Sequence, residues 1–146
     1  MASRYLVFVA GAFLLNFVWE SWHAVYLYNG GFGISFDSIE NSLQQFVRLM
    51  TYASSMDALF LGGILLGGSA LWRNWEWFYL MNFRKYSYFI LSAFFIAVVI
   101  EYKAVFLLDQ WSYNDHMSTI LGLGLSPLAQ LAVTGLVSLW IARRYT

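Results

Sequence analysis

The chain has 146 residues, of which 60% are hydrophobic, 21% aromatic and only 11% charged, and it carries no formal net charge. That much apolar side chain exceeds what a soluble domain of this length can bury, so the composition is that of an integral membrane protein. Without a Lys/Arg cluster there is no electrostatic footprint for nucleic acid, and without cysteine there is no disulfide, thiolate chemistry or thioether-linked haem.

The first apolar segment, residues 5–28, is long enough for the ~20 residues that a bilayer core demands. It is too long for a signal-peptide core, carries Glu20 inside it and lacks a small-x-small cleavage site, so it reads as a retained span. Within it, "NFVWESWH" sets Asn16, Glu20 and His23 at i, i+4 and i+7, a face that must look into a bundle. Next comes "NGGFGISF", where Gly30, Gly31 and Gly33 mark a turn, followed by Asp37 and Glu40 as helix N-cap and capping-box partner. Ile39, Leu43, Phe46 and Met50 recur at helical spacing and predict a short amphipathic helix on the outer surface.

The second span, residues 50–72, holds Tyr52, Ser54, Ser55 and Asp57, then Gly62, Gly63, Gly67 and Gly68 as a close-packing surface. The connection "RNWEWFYLMNFRKY" is dense in headgroup-level aromatics. The third span, residues 86–109, carries Glu101 and Lys103 on opposed faces, so Lys103 must snorkel or pair with another helix, with Asp57 nearest in depth. After it, "DQWSYNDH" offers Asp109, Trp111, Tyr113, Asp115 and His116 as a roof. The fourth span, residues 118–141, sets Ser126 and Gln130 one turn apart, with Pro127 between them freeing a carbonyl. No repeat or linker divides the chain, so residues 1–146 form one domain. The fold class is all-α: a four-transmembrane-helix bundle with a short amphipathic outer-surface helix between spans 1 and 2.

Arg4, Arg73, Arg84, Lys85, Arg143 and Arg144 all fall on one side, against Arg48 alone in the first connection. Both termini are therefore expected in the cytoplasm of a prokaryotic cell, with the spans in its cytoplasmic membrane. Counted from the opposite end of each span, Glu20, Asp57 and Glu101 lie about 7 to 8 residues in, ~12 Å deep, with Ser126 and Pro127 level with them. An ionisable group at such depth costs at least ~2.5 to 3.5 kcal/mol on insertion scales and is seldom kept for packing alone. Buried Asn, Ser and Gln, at ~0.6 kcal/mol for an interhelical hydrogen bond, more commonly serve structure. A purely structural polar network is the competing reading of the whole layer.

The pattern Asn16, Trp19, Glu20, His23, Leu27, Tyr28, then Asp57, Glu101, Trp111, Tyr113, Met117, Gly124, Ser126, Pro127 and Gln130 resembles an uncharacterised family of small four-helix bacterial and archaeal integral membrane proteins. It covers nearly the whole chain and implies the four-helix fold without an activity. The sequence departs from that pattern at Ser118, where a proline would follow Met117.

Function is therefore read from the polar layer. Glu20, His23, Asp57 and Glu101 are the candidate catalytic groups of an acid–base enzyme, of isomerase, hydratase or cyclase type, acting on a hydrophobic lipid or isoprenoid-like molecule without a cofactor. Asn16, Trp19, Tyr52, Trp111, Tyr113, Ser126 and Gln130 are the candidate substrate-binding residues around an outward-opening pocket. Three carboxyls in one pocket cannot all be charged unless Lys103, a protonated His23 or a metal offsets them, and Glu101 is the expected acid opposite Glu20 and His23 as base. Glu20-x-x-His23 also has the i, i+3 spacing of helix-bundle metal sites, which Asp57, Glu101 or His116 would complete, but only one such motif is present and no metal is assigned. The remaining alternative is a non-catalytic accessory subunit, in a homo-oligomer or a larger membrane complex, with membrane lipid as its surroundings.

Overall fold

The computed structural model describes residues 2–29 and 39–145. Four helices carry the fold: α1 (Ala2–Tyr26), α2 (Ile39–Trp72), α3 (Phe83–Tyr102) and α4 (Leu125–Tyr145). A π-helical turn, Lys103–Leu107, continues α3, and two short strands, β1 (Thr119–Ile120) and β2 (Leu123–Gly124), precede α4. All four helices are long and apolar enough to cross a membrane, as Ser3–Tyr26, Asn41–Trp72, Phe83–Leu107 and Leu125–Tyr145. The chain is an all-α four-helix membrane protein.

The helices run alternately up and down, because both ends of the bundle are tied across the connections. At the end that holds the start of α1, Arg4 pairs with Glu76 at 2.7 Å and lies over the Tyr79 ring. Beside it the Tyr5 hydroxyl shares a 2.7 Å hydrogen bond with Ser69. Lys85 Nζ donates to the carbonyls of Trp77 and Leu80, 2.7 Å each, which satisfies backbone that no helix serves. Asn82 starts α3 by accepting from the Lys85 backbone N–H at 3.1 Å. At the opposite end Tyr28 bridges to Tyr113, with Asn29 N–H donating to Ser112 and Asn114 N–H to Leu27.

Between the two ends Phe8, Leu61, Leu65, Phe89, Leu131 and Leu139 form the apolar core. Small residues set its tightness. A side chain at Gly135 would stand 2.7 Å from Leu61 and Phe89, and one at Gly68 would stand 2.3 Å from the Trp77 ring. In α2, Gly67 and Gly68 thus make room for rings rather than for a neighbouring backbone, while Gly62 faces the Val9 side chain. Gly67 lies under the Tyr88 hydroxyl, while Gly63 has open space and takes no part in the expected close-packing surface.

Two expected boundaries need correction. The amphipathic segment is helical but is not a separate surface helix. It is the start of one unbroken 34-residue α2, ~51 Å long at 1.5 Å per residue against a ~30 Å hydrocarbon core. Its apolar side is only partly used, with Met50 1% and Leu43 60% exposed. The fourth helix begins at Leu125 rather than at residue 118, because Leu121 (φ 53°) and Gly122 (φ 81°) turn the chain into a tight hairpin first. Pro127 therefore sits in the first turn of α4, where its missing N–H would have had no helical partner, and no carbonyl is freed. The Gly30, Gly31 and Gly33 turn and the Asp37 and Glu40 side chains lie outside the described residues.

Candidate functional site

Gln130, in the second turn of α4, is where three helices meet. Its Nε2 donates to Glu20 Oε1 of α1 at 2.7 Å, to Asp57 Oδ2 of α2 at 3.0 Å and to Asn16 Oδ1 of α1 at 3.0 Å. Asn16 is oriented from behind: its Nδ2 is committed to the Ala12 carbonyl at 2.9 Å, so its oxygen must face α4. Thr134 Oγ1, one turn below Gln130, reaches the same oxygen at 3.1 Å. Both carboxyl groups are thus held against one amide nitrogen, and their separation cannot exceed the sum of two hydrogen bonds.

Glu101, at the end of α3 and only 4% exposed, supplies the third carboxyl. The π-helical turn after it and the left-handed residue Asp109 (φ 48°) swing the chain back over the helix end. Trp111 Nε1 and the Tyr113 hydroxyl consequently both donate to Glu101 Oε2, the former at 3.4 Å and the latter in a short hydrogen bond. A side chain at Gly124 would stand 3.0 Å from the Tyr113 ring, so that glycine leaves the tyrosine room to lie there. Tyr28 packs against Trp111 and Tyr113 at ring separations of 5.9 and 5.6 Å and completes an aromatic roof. Burial first, and the nearby Glu101 second, raise the Tyr28 phenol well above its ordinary pKa. Burial and the bond to Glu101 raise that of Tyr113. Both phenols therefore stay protonated at any ordinary pH, and Tyr113 is a fixed donor.

Glu20, Asp57 and Glu101 line one cavity of about 510 Å³, together with Tyr28, Tyr52, Met56, Phe60, Trp111 and Gln130. Most of its wall is apolar. Its exposed lining residues are Tyr52 of α2 and Lys103, Leu108 and Gln110, which follow the end of α3. Each carboxyl is anchored through one oxygen, and Glu20 Oε2, Asp57 Oδ1 and Glu101 Oε1 have no hydrogen-bond partner among the described residues.

The other sequence candidates go elsewhere. His23, fully buried, belongs to a second site between α1 and α4: its Nε2 lies 2.7 Å from both Trp19 Nε1 and Ser126 Oγ. The indole can only donate, so Nε2 accepts and the ring proton resides on Nδ1, which has no partner among the described residues. Neither His23 nor Ser126 lines the cavity, and Trp19 lines a shallow apolar groove on the outer face of α1 and α4. His23 thus stands apart from Glu20 as a would-be base partner. Asn16 lies behind Gln130 rather than at the cavity wall.

Of the expected roof, Trp111 and Tyr113 take part, while Asp109, Asp115 and His116 are exposed. Lys103 is exposed at the rim and forms no ion pair with Asp57, the one ion pair among the described residues being Arg4 with Glu76. No three His, Asp or Glu side chains among the described residues stand close enough to share a metal ion. Tyr28, Phe60 and Thr134 were not expected in or beside the site; Tyr28 follows the helix end, where periodicity gives no direction. Comparison with protein-family models, curated proteins and solved structures found no match for this chain.

Proposed function

We propose that the protein is an intramembrane acid–base enzyme, of isomerase type, acting on a hydrophobic isoprenoid-like lipid. The observation that carries this reading is the delivery of three carboxyl groups, from three different helices, to the wall of one largely apolar cavity whose exposed lining residues include Tyr52 of α2 and Lys103 and Leu108 after α3. A lipid could enter there without leaving the bilayer. One carboxyl gives its proton to a carbon of a double bond and leaves a cation on the neighbouring carbon. A second carboxylate removes a proton from the next carbon, so the double bond moves and no electron is gained or lost. Glu101 is assigned the acid role through Oε1, because two donors already occupy Oε2. Glu20 and Asp57 are assigned the base role, steadied by Gln130, and the aromatic roof faces the cation. Arg4, Arg73, Arg84, Lys85, Arg143 and Arg144 support a topology with both termini in the cytoplasm and the cavity toward the outer leaflet of a prokaryotic cytoplasmic membrane.

The test is isotope uptake. Purified protein in nanodiscs made from the lipids of its own cells is incubated in D2O, and the lipids are analysed by mass spectrometry. The expected result is deuterium on a carbon of one lipid class, lost with Glu101→Gln and with Asp57→Asn. No uptake above heat-inactivated protein, or uptake indifferent to both substitutions, would remove the enzymatic reading.

A further inference from the structure

The cavity holds more acid than the protein answers. Three carboxyl groups line it, yet every donor among the described residues that reaches them is neutral: the Gln130 amide, the Trp111 indole and the Tyr113 phenol. Among the described residues no Lys, Arg or His forms an ion pair with any of them, and Lys103, which lines the same cavity, is exposed at the rim. Glu101 is 4% exposed, with Oε2 doubly occupied and Oε1 unpartnered among the described residues on the cavity wall. Tyr28, Tyr52, Phe60 and Trp111 line the same space. Carboxyl oxygens beside aromatic rings, in an apolar enclosure, favour one kind of guest: a cation with apolar arms, paired through charge and through the ring faces. A compact cation would leave most of the apolar wall and about 510 Å³ of space unused, so the rest of the guest must be hydrocarbon.

We infer that the cavity takes an amphiphile with a positively charged amine or ammonium group, the charge lying between Glu101 and the Glu20 and Asp57 pair and the chain leaving past the exposed Tyr52 and Leu108. This rests on the proposed acid–base site and gives its ligand class, since a group that holds a stable ammonium there is built to hold a transient carbon cation. Lys103 at the mouth acts against such a guest and sets a limit on how tightly it binds.

The experiment uses a tetradecyltrimethylammonium probe bearing a diazirine on its chain, added to the full chain in phosphatidylcholine nanodiscs and photolysed, with labelled peptides mapped by mass spectrometry. Tetradecanol and tetradecanoate carrying the same diazirine are run beside it. Label from the ammonium probe should fall on residues 49–60 and 97–111, exceed that of the other two by about tenfold, and drop about tenfold in Glu101→Gln and Asp57→Asn. Lys103→Gln, at an exposed position that should not disturb folding, should raise it about threefold. Equal labelling by all three probes, labelling spread over the lipid-facing helix surfaces, or no rise with Lys103→Gln would overturn the inference. The two readings fail separately. Deuterium uptake without ammonium preference keeps the enzyme and removes the cation. Carboxyl-dependent ammonium capture without deuterium uptake keeps the ligand class and removes the catalysis.

Discussion

Gln130 Nε2 carries two hydrogens and has three oxygen acceptors around it, from Asn16, Glu20 and Asp57. Removing the amide withdraws both hydrogens, so that Glu20 and Asp57 lose that donor and Asn16 keeps only Thr134, whereas removing the Thr134 hydroxyl takes one donor from an oxygen that keeps Gln130. With ~0.6 kcal/mol for an average hydrogen bond between membrane helices, Gln130→Leu should cost about 1–2 kcal/mol and Thr134→Val about 0.6 kcal/mol. Reversible unfolding in mixed micelles measures both, and equal costs would show that Gln130 does not bridge the helices. The sequence displayed the two carboxyls at a common height, but set Ser126 and Pro127 rather than Gln130 level with them, and did not show the direction in which each side chain leaves its helix. His23 is three residues from Glu20, about 60° round the axis, and that angle is enough to turn it to Ser126 and away from the cavity.

At the level of elements, helix existence followed from apolar length, while the ends followed from backbone geometry that hydropathy does not report. The run Ser118–Leu123 is apolar enough to extend a span, yet Leu121 and Gly122 both take positive φ and make a hairpin of it. Gly122 fits that turn by lacking a side chain: a Cβ there would meet the Phe106 ring at 2.9 Å, and φ of 81° would strain any other residue. Gly122→Ala should therefore destabilise by about 1–2 kcal/mol. Leu121→Asn, at a position 92% exposed, should be neutral or stabilising by a few tenths of a kcal/mol, because asparagine tolerates the left-handed region. Thermal unfolding of the two variants side by side is the check, and a loss of stability in both would mean that the hairpin is not as described. The same kind of local geometry, the π-helical turn after α3, brings Trp111 and Tyr113 over Glu101. The sequence marked both as roof residues by their place between two spans, without the turn that aims them.

The whole molecule is divided by height. One end is basic and locked by Arg4, Glu76, Tyr5 and Lys85; the middle is apolar; the other end holds the acidic cavity under its roof. This layering was legible because a rise of 1.5 Å per residue converts sequence position into depth in every spanning helix. Which residues wall the cavity was not, since that depends on how far the helices stand apart and on where Tyr52 and Lys103 come to lie. Glu20 of α1 and Asp57 of α2 meet at one point, the Gln130 amide nitrogen, and a double-mutant cycle on stability measures that meeting. Glu20→Gln and Asp57→Asn are made singly and together, with Arg4→Ala, at the far end of the bundle, combined with each as control. An interaction energy above about 0.5 kcal/mol is expected between Glu20 and Asp57, and additivity within about 0.3 kcal/mol for either with Arg4. Additive effects of Glu20→Gln and Asp57→Asn would place the two carboxyls in separate environments and rule out their meeting at Gln130.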